Sequence, residues 1–289
     1  MNKDKISLDE FIDYIKKNID LDDLNSINSA APMLIKLSND KDLLPKAVCD
    51  ELRYSNKPFQ EGNPYQASGY VLYKDEDFVI RAVCWISDKE RKFVNVDVDR
   101  GLLIYSIAHD HDFSFLTVGH YGSGYYTETY EYDYDSVIGE TGESIEMKKI
   151  SFNQLKLGQT YLFRAGKEIH QQRSPDDFSI SLNLIVRKRG QQRFNDQYAF
   201  DLNNKKIIRP LENDTFKRAQ TVHLIADLLG SKCLDSFWKL KDSHSCRRTR
   251  IEIMKELTKF NPTLRNEIWE NAKLSSDTIL SNAAYEALK

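Results

Sequence analysis

The sequence predicts an α+β protein, in which an antiparallel β-barrel is flanked by N-terminal helices and a C-terminal all-helical segment. Residues 1–60 carry apolar side chains at helical spacing. Between about residues 69 and 211, short β-branched or aromatic runs alternate with turn residues, a pattern typical of a sandwich or barrel. Helical spacing then returns. We therefore expect an N-terminal helical segment over 1–60, a barrel domain over 61–211 and a C-terminal helical segment over 212–289.

The N-terminal segment has a clear helix start. Ser7 and Glu10 have the spacing of a capping box, in which each side chain bonds the backbone N–H of the other residue. Phe11 and Ile15 follow at helical spacing. Two more short helices are expected in SINSAAPMLIKLSND and DLLPKAVCDELRY, and the Asn63-Pro64 pair marks a turn before the barrel.

The predicted strands are short and end in turn residues: GYVLYKD, FVIRAVCWIS, GLLIYSIAH, FSFLTVGHY, YYTETYEYDY, QTYLFRA, FSISLNLIVR and YAFDL…KKIIRPL. Residues 125–134 alternate most clearly, which predicts a strand with unlike faces. One face carries Tyr126, Glu128, Tyr130, Tyr132 and Tyr134, and the other carries Tyr125, Thr127, Thr129, Glu131 and Asp133. We interpret the tyrosines as packing residues on an amphipathic surface.

The C-terminal segment repeats the helical pattern. In DTFKRAQTVHLIADLLG the apolar residues at helical spacing form one face of a predicted helix, which ends at Gly230. They are Phe216, Ala219, Val222, Ile225 and Leu229. The basic run RRTR, with Arg247, Arg248 and Arg250, is interpreted as a solvated helix face. The stretch RRTRIEIMKELTKF predicts a second helix, with Ile251, Met254 and Leu257 at helical spacing.

Composition limits the function classes. The net charge of −3 gives no electrostatic footprint for nucleic acid. No apolar run approaches the roughly 18 residues of a membrane span, and the start MNKDKISLDEF has no apolar core of a secretory signal. We expect a cytoplasmic protein. The four cysteines lie far apart, so a metal site should use histidine and carboxylate.

Two of the six histidines lie one residue apart in an apolar stretch. On a strand, His109 and His111 point to the same face, and imidazole is a common ligand of iron, copper, nickel and zinc. His170 follows a glycine-containing turn, and we expect a hairpin to bring it against the pair. An odd offset from His111 places His120 on the opposite face.

These motifs resemble those of the cupin superfamily over residues 69–190. The first cupin motif has two histidines, a glutamate and a glycine; here they fall on His109, His111, Phe115 or Leu116, and Gly122. The second has a glycine, a proline, a glycine and a histidine; here they fall on Gly158, Arg164, Gly166 and His170, with one residue inserted. The resemblance implies a double-stranded β-helix, and since such barrels often pair, a homodimer.

A three-histidine cupin site without the glutamate resembles the thiol dioxygenases, which use mononuclear iron(II). Those enzymes carry a serine, a histidine and a tyrosine on one strand, and the matching residues here are Ser181, Asn183 and Ile185. Their cross-linking cysteine falls near Leu116. The cross-link therefore cannot form here, and a cysteine substrate is not implied.

Carboxylates offer an alternative ligand set. Asp110 and Asp112 alternate with the histidines, so we expect them to face away and to bond neighbouring loops or an imidazole N–H. Glu168 or Glu128 could instead complete a site of two histidines and one carboxylate, which suits oxygenases that use 2-oxoglutarate.

The leading hypothesis is an iron(II) oxygenase that acts with dioxygen on a small or peptide-borne substrate. His109, His111 and His170 are the expected ligands, Tyr161 and Tyr121 the expected catalytic donors, and the expected substrate-binding residues are Arg81, Arg164, Tyr126 and Asn183. For both arginines, structural ion pairing is the simpler interpretation. The alternatives are a cupin that binds or senses a small molecule, and a metal-dependent isomerase or hydrolase.

Overall fold

The computed structural model describes residues 4–53, 60–61, 63, 68–89, 107–187 and 194–289. Nine α-helices lie within these ranges: α1 Leu8–Asn18, α2 Leu24–Ser29, α3 Ala31–Ser38, α4 Leu43–Arg53, α5 Asp214–Leu229, α6 Leu234–Ser243, α7 Arg247–Phe260, α8 Arg265–Lys273 and α9 Thr278–Ala287. The Ser7–Glu10 capping box of α1 is confirmed. Among the described residues, no helix is long and apolar enough to cross a membrane.

Eleven strands lie in the described ranges: β1 Gly69–Lys74, β2 Phe78–Trp85, β3 Ala108–His109, β4 Phe115–Tyr121, β5 Tyr126–Tyr132, β6 Met147–Gln154, β7 Thr160–Phe163, β8 Glu168–Arg173, β9 Ser179–Val186, β10 Tyr198–Asp201 and β11 Lys206–Pro210. Residues 101–106 of the predicted strand GLLIYSIAH lie outside the described residues.

The strands form two sheets in the order of a jelly roll. The first sheet runs β1-β2-β9-β4-β7 and the second runs β11-β10-β3-β8-β5-β6. Every pairing between these strands is antiparallel. Without the edge additions β1, β10 and β11, eight strands remain in two interleaved sets of four, the double-sheet arrangement of cupins. The predicted α+β fold with a double-stranded β-helix is confirmed.

Each sheet turns one face to the barrel interior and packs its other face on helices. In the first sheet, Ile80, Leu116 and Leu184 face α1 and α3, where they pack near Phe11 and Leu34. In the second sheet, the outward residues pack on α5 to α9 through one continuous cluster that includes Ala108, Tyr132, Ile169, Phe200, Ile251 and Trp269. The helices thus decide which face of each strand is left to form the interior.

The connection before His170 differs from the expected hairpin. β7 pairs with β4 in the first sheet, whereas β8 pairs with β3 and β5 in the second. The turn at residues 164–167 therefore crosses from one sheet to the other. It still brings His170 to the first two histidines, because the two sheets face each other across the interior.

The interpretation of the RRTR run as a solvated face is wrong. The Arg248 side chain is only 8% exposed, and its Nε donates to Asp196 at 2.9 Å. Arg247 Nη2 donates to Asn195 at 3.0 Å, and Arg250 Nε donates to the Lys241 carbonyl at 2.8 Å. Arg247 and Arg248 begin α7 against the chain that leads into β10, and Arg250 bonds the end of α6, so oxygen atoms of the protein replace water around them.

Candidate metal centre

Three histidines meet at one end of the barrel interior. His109 of β3 is the direct antiparallel partner of His170 of β8, and His111 follows two residues after His109. The ring centroids are 4.4 Å apart for His109 and His170, 4.9 Å for His109 and His111, and 5.0 Å for His111 and His170. One nitrogen from each ring lies within 4.8 Å of the others. The structure therefore brings together the three residues expected from the sequence.

The three imidazoles are held neutral. Burial lowers the pKa of His109 and lowers those of His111 and His170 well below the ordinary value, and the charge of a neighbouring histidine acts in the same direction on the last two. A neutral imidazole keeps a lone pair, which is the form that binds a metal.

The ring nitrogens have fewer partners than buried nitrogens normally require. His109 Nδ1 lies 2.9 Å from the Ile107 carbonyl, which fixes a proton there and leaves Nε2 with the lone pair. His111 Nδ1 and both ring nitrogens of His170 are buried without a hydrogen-bond partner. Because an unpaired buried polar atom costs about 1–3 kcal/mol, a transition metal ion fits this donor set.

The two aspartates that follow His109 and His111 face away from the interior, as predicted. Asp110 is fully buried and accepts hydrogen bonds from the Tyr132 hydroxyl at 2.5 Å and from the Tyr198 N–H at 2.6 Å. Burial raises the pKa of Asp110 to about 7 against these hydrogen bonds. Asp112 accepts from Gln197 and, through its other oxygen, from Asn213 at 3.1 Å.

No carboxylate joins the three histidines among the described residues. Glu168 lies on β8 near His170, but its Oε1 accepts from Arg164 Nε at 2.5 Å and its Oε2 from the Arg164 N–H. Glu128 pairs with Arg173 at 2.8 Å and with Lys149 at 3.4 Å. Neither glutamate supplies the carboxylate of the alternative ligand set in this conformation.

The cupin glutamate position is occupied by a phenyl ring. Phe115 faces the interior, with its ring centroid 5.3 Å from that of His111, and it stacks on Phe163 at 4.6 Å. Phe163 in turn lies 4.7 Å from His170. Leu116 faces the opposite way, into the helix-covered core. An apolar wall therefore stands beside the histidines where a fourth, anionic ligand would otherwise lie.

A row of polar residues crosses the inner face of the first sheet, with one residue from each of the four strands β2, β9, β4 and β7. Arg81 of β2 pairs with Asn183 of β9, Asn183 with Thr117 of β4, and Thr117 with Tyr161 of β7. With the amide oxygen of Asn183 turned toward Arg81, it accepts from Arg81 Nε at 3.2 Å and the amide nitrogen donates to Thr117 Oγ1 at 2.5 Å. The charge of Arg81 lowers the pKa of both His109 and His111, so this row is electrostatically coupled to the metal centre.

Tyr125 is an interior residue that the sequence analysis placed correctly on the threonine face but did not select. It is 2% exposed, and its hydroxyl bonds Thr117 and Gln172. Burial raises the pKa of Tyr125 to about 12. Tyr161 is half-buried; burial raises its pKa against a hydrogen bond with Ser151 of β6. Both phenols are therefore neutral hydrogen-bonding groups at neutral pH.

Three of the expected site residues lie elsewhere. Tyr121 follows a bulge at the end of β4 and is 54% exposed. Tyr126 lies on the outer face of β5, where it stacks on Phe152 and donates to Asp176 at 2.9 Å. Arg164 is paired with Glu168 and Glu131 at the turn between β7 and β8. His120, as predicted, faces away from the site, and its Nδ1 lies 2.9 Å from the Ser38 carbonyl of α3.

Gln197 is the other residue that the sequence did not reveal. It lies just before β10, 86 positions from His111, in a segment with no motif. The only sequence signal near Gln197 is the predicted strand β10. The pairing of β10 with β3, which brings this segment to the histidines, depends on tertiary structure.

Comparison with known proteins adds distant structural similarity. No protein-family model matches the sequence, and no curated protein matches it. The chain is similar to a hydroquinone 1,2-dioxygenase from Sphingomonas with bound 4-hydroxybenzoate, at 11% identity and a TM-score of 0.29, over 44% of this chain and 70% of that one. It is also similar to a DMSP lyase from Ruegeria pomeroyi, at 12% identity and a TM-score of 0.23, over 45% of this chain and 55% of the lyase. The chain is also similar to a cupin domain from Bordetella pertussis, at 12% identity and a TM-score of 0.23, over 43% of this chain and 95% of that one. The fold assignment rests on the strand order of this chain.

Proposed function

We propose that the protein is a mononuclear metal-dependent oxygenase, with iron(II) bound by His109, His111 and His170. The observation that carries the proposal is the convergence of three neutral imidazoles whose buried nitrogens include three without a hydrogen-bond partner. A metal held by neutral ligands alone keeps its positive charge and open coordination positions, at which a substrate and dioxygen can react.

The residues of this chain then shape what can reach the metal. Phe115 and Phe163 line the centre with apolar surface, which disfavours a protein carboxylate beside the histidines. The three neutral imidazoles and the Arg81 guanidinium add no negative charge. An anionic group of the substrate is therefore the natural counter-charge at this end of the barrel.

Arg81 and Asn183 are proposed to bind the anionic end of the substrate. Arg81 lies in the polar row of the first sheet, and a guanidinium binds a carboxylate through two parallel hydrogen bonds. Tyr161 and Tyr125, which stay protonated at neutral pH, can donate to substrate oxygens from the same region. We propose a small carboxylate with an apolar body, since the neighbouring row on the same face of the first sheet is apolar and consists of Val79, Ile185, Phe115 and Phe163.

The test begins with metal content. Anaerobically purified protein should contain about one metal ion per chain, and His111→Ala and His170→Ala should each remove it. His223→Gln is the matched control, because His223 lies on α5 and pairs with Glu252 and Glu256 instead. Wild-type protein that folds but does not retain iron(II), cobalt(II) or zinc(II) contradicts the proposal.

Activity is tested next, with an oxygen electrode and a panel of small carboxylates. The iron-loaded protein should consume oxygen with at least one member of the panel. Arg81→Gln should keep its metal and raise the KM for that carboxylate, and Arg53→Gln on the exposed surface of α4 should not change it. Unchanged kinetics in Arg81→Gln refute the substrate assignment and leave the metal site intact.

A sensor function is the second candidate, because the C-terminal helices contact the residues that surround the metal centre. Arg248 of α7 bonds Asp196, next to Gln197, which donates to Asp112, the residue after His111. Retained metal and carboxylate binding without oxygen consumption across the panel would favour this function over the oxygenase.

A further inference from the structure

One threonine hydroxyl is buried inside the barrel, on the wall that carries His170. Thr127 of β5 is fully buried, and its Oγ1 has no hydrogen-bond partner among the described residues. Its neighbour Thr129, two residues along the strand, pairs directly with His170 of β8. Because residues two apart on a strand share a face, the Thr127 side chain points into the interior on the same side as His170.

A hydroxyl in this position requires a partner, since burial removes water from the group and gives nothing in return. Thr117, which is equally buried on the facing sheet, accepts from the amide of Asn183. In the described part of the barrel, the other buried side-chain atoms without a partner are His111 Nδ1 and both ring nitrogens of His170. Thr127 thus belongs with the groups that a bound metal or substrate would satisfy.

Two ring contacts show which residues face Thr127 across the interior. The ring centroids of Phe163 of β7 and His170 are 4.7 Å apart, and those of Trp85 of β2 and Tyr125, just before β5, are 4.1 Å apart. On the first sheet, the polar row lies between the levels of Phe163 and Trp85. On the second sheet, Thr127 lies between the level of His170 and that of Tyr125. Thr127 therefore faces the polar row.

We propose that Thr127 is a specificity-determining residue, whose hydroxyl bonds an alcohol group of the substrate while Arg81 binds the substrate carboxylate from the opposite wall. This inference rests on the carboxylate site proposed above and narrows its ligand to a small hydroxy acid. Facing sheets lie about 10 Å apart, and the long Arg81 side chain spans part of that gap. The carboxylate and the alcohol therefore need only a few carbon atoms between them.

The surroundings of Thr127 favour an alcohol over a charged group. Its direct partners across the sheet are Gln172 of β8 and Asn153 of β6, both uncharged. A second carboxylate beside them would be buried without a cation of its own, and an ammonium group would be repelled by Arg81 and by the metal. A threonine hydroxyl both donates and accepts hydrogen bonds, as an alcohol does.

A hydroxy acid compared with the same acid lacking the hydroxyl isolates this bond, because only the hydroxy acid satisfies Thr127. Isothermal titration calorimetry on anaerobic, iron(II)-loaded protein gives the dissociation constants. The pairs are lactate against propanoate, and butanoate with a hydroxyl on its third or fourth carbon against butanoate itself. For at least one pair, the wild type should bind the hydroxy acid about 5–150-fold more tightly, the range that corresponds to one unsatisfied buried hydroxyl.

Thr127→Val keeps the shape of the side chain and removes the hydroxyl. It should bind the two acids of that pair equally, whereas Thr127→Ser should keep the preference for the hydroxy acid. Thr249→Val is the matched control, because Thr249 of α7 is also a buried threonine without a hydrogen-bond partner in the described part of the chain, but lies outside the barrel. The control should leave both dissociation constants unchanged.

Far-UV circular dichroism verifies the fold of each variant, and Thr127→Ala replaces the valine variant if that one does not fold. An undiminished preference in the variant without the hydroxyl overturns the inference. So does a wild type that binds the acids but prefers no hydroxy acid. A wild type that holds no iron(II), or that binds neither member of any pair, instead refutes the proposed function on which the inference rests.

Discussion

Replacement of Arg248 by alanine should be among the most destabilising single changes outside the barrel core. The Arg248 side chain is 8% exposed and lies between two carboxylates that are equally buried. Its Nε donates to Asp196 at 2.9 Å, and its Nη1 lies 3.5 Å from Glu252. Nη2 also donates to the Ile138 carbonyl and to the Tyr198 hydroxyl. Alanine removes all of these partners at once.

The expected loss follows from what remains after the change. Asp196 and Glu252 stay buried at 7% and 9% side-chain exposure without their common cation, and Glu252 alone keeps a second one, Lys255 at 3.1 Å. Breaking a buried pair from one side costs about 3–5 kcal/mol, since the charge left on Asp196 is uncompensated. For a chain of this size class, about 2–4 °C is lost per kcal/mol, so the melting temperature should fall by roughly 6–20 °C.

Thermal unfolding followed by circular dichroism measures this shift, with urea unfolding as the second method. Arg53→Ala is the matched control, because the Arg53–Asp50 pair lies on the surface with 75% of the arginine side chain exposed. The control should lose about 0–1 kcal/mol. If Arg248→Ala loses no more than Arg53→Ala, the buried network does not hold α7 against the barrel, and the reasoning is wrong.

Two further predictions concern single hydrogen-bonding groups. Tyr125→Phe should lose about 1–3 kcal/mol in thermal unfolding, because it leaves the buried Thr117 and Gln172 without their shared phenol; an unchanged melting temperature would show that water replaces the hydroxyl. Asp75 lies in the turn between β1 and β2. Burial raises the pKa of its carboxyl, but four hydrogen bonds together outweigh burial and lower the pKa to about 2. They come from the Phe78 N–H, the Tyr73 hydroxyl, the Asp77 N–H and Lys16. A lowered carboxyl pKa stabilises the fold above the unfolded value and loses that contribution as the pH falls from about 4 to about 2. Asp75→Asn should therefore cost about 1 kcal/mol at pH 7, after discount for solvent screening, and the difference should shrink toward pH 2; a pH-independent difference would exclude this origin.

The two-residue alternation of side chains along a strand explains which parts of the site could be predicted from the sequence. His109 and His111 share a face because residues two apart on a strand do so, and Asp110 between them faces away for the same reason. This is a local rule, and it needs no knowledge of the rest of the fold. His120 also faces away from the site, but it lies on β4 in the other sheet, so its own strand and not its offset from His111 sets its face.

The choice between faces could not be made locally. The stretch of residues 125–132 has tyrosines on both faces, and the helices that cover the second sheet decide that Tyr132 packs outward and Tyr125 inward. In the same way, Arg248 finds Asp196 52 positions away and the Ile138 carbonyl 110 positions away. A charge run in the sequence carries no information about such distant partners.

X-ray absorption at the iron edge of anaerobically reconstituted protein tests the central claim most directly. The account predicts about one iron(II) per chain, surrounded by the scattering pattern of three imidazole rings with light-atom ligands at the remaining positions. His170→Ala should lose one imidazole contribution or the metal altogether. Protein that remains folded but retains no iron after gel filtration, or iron whose shell lacks imidazole scattering, would contradict a metal centre at His109, His111 and His170.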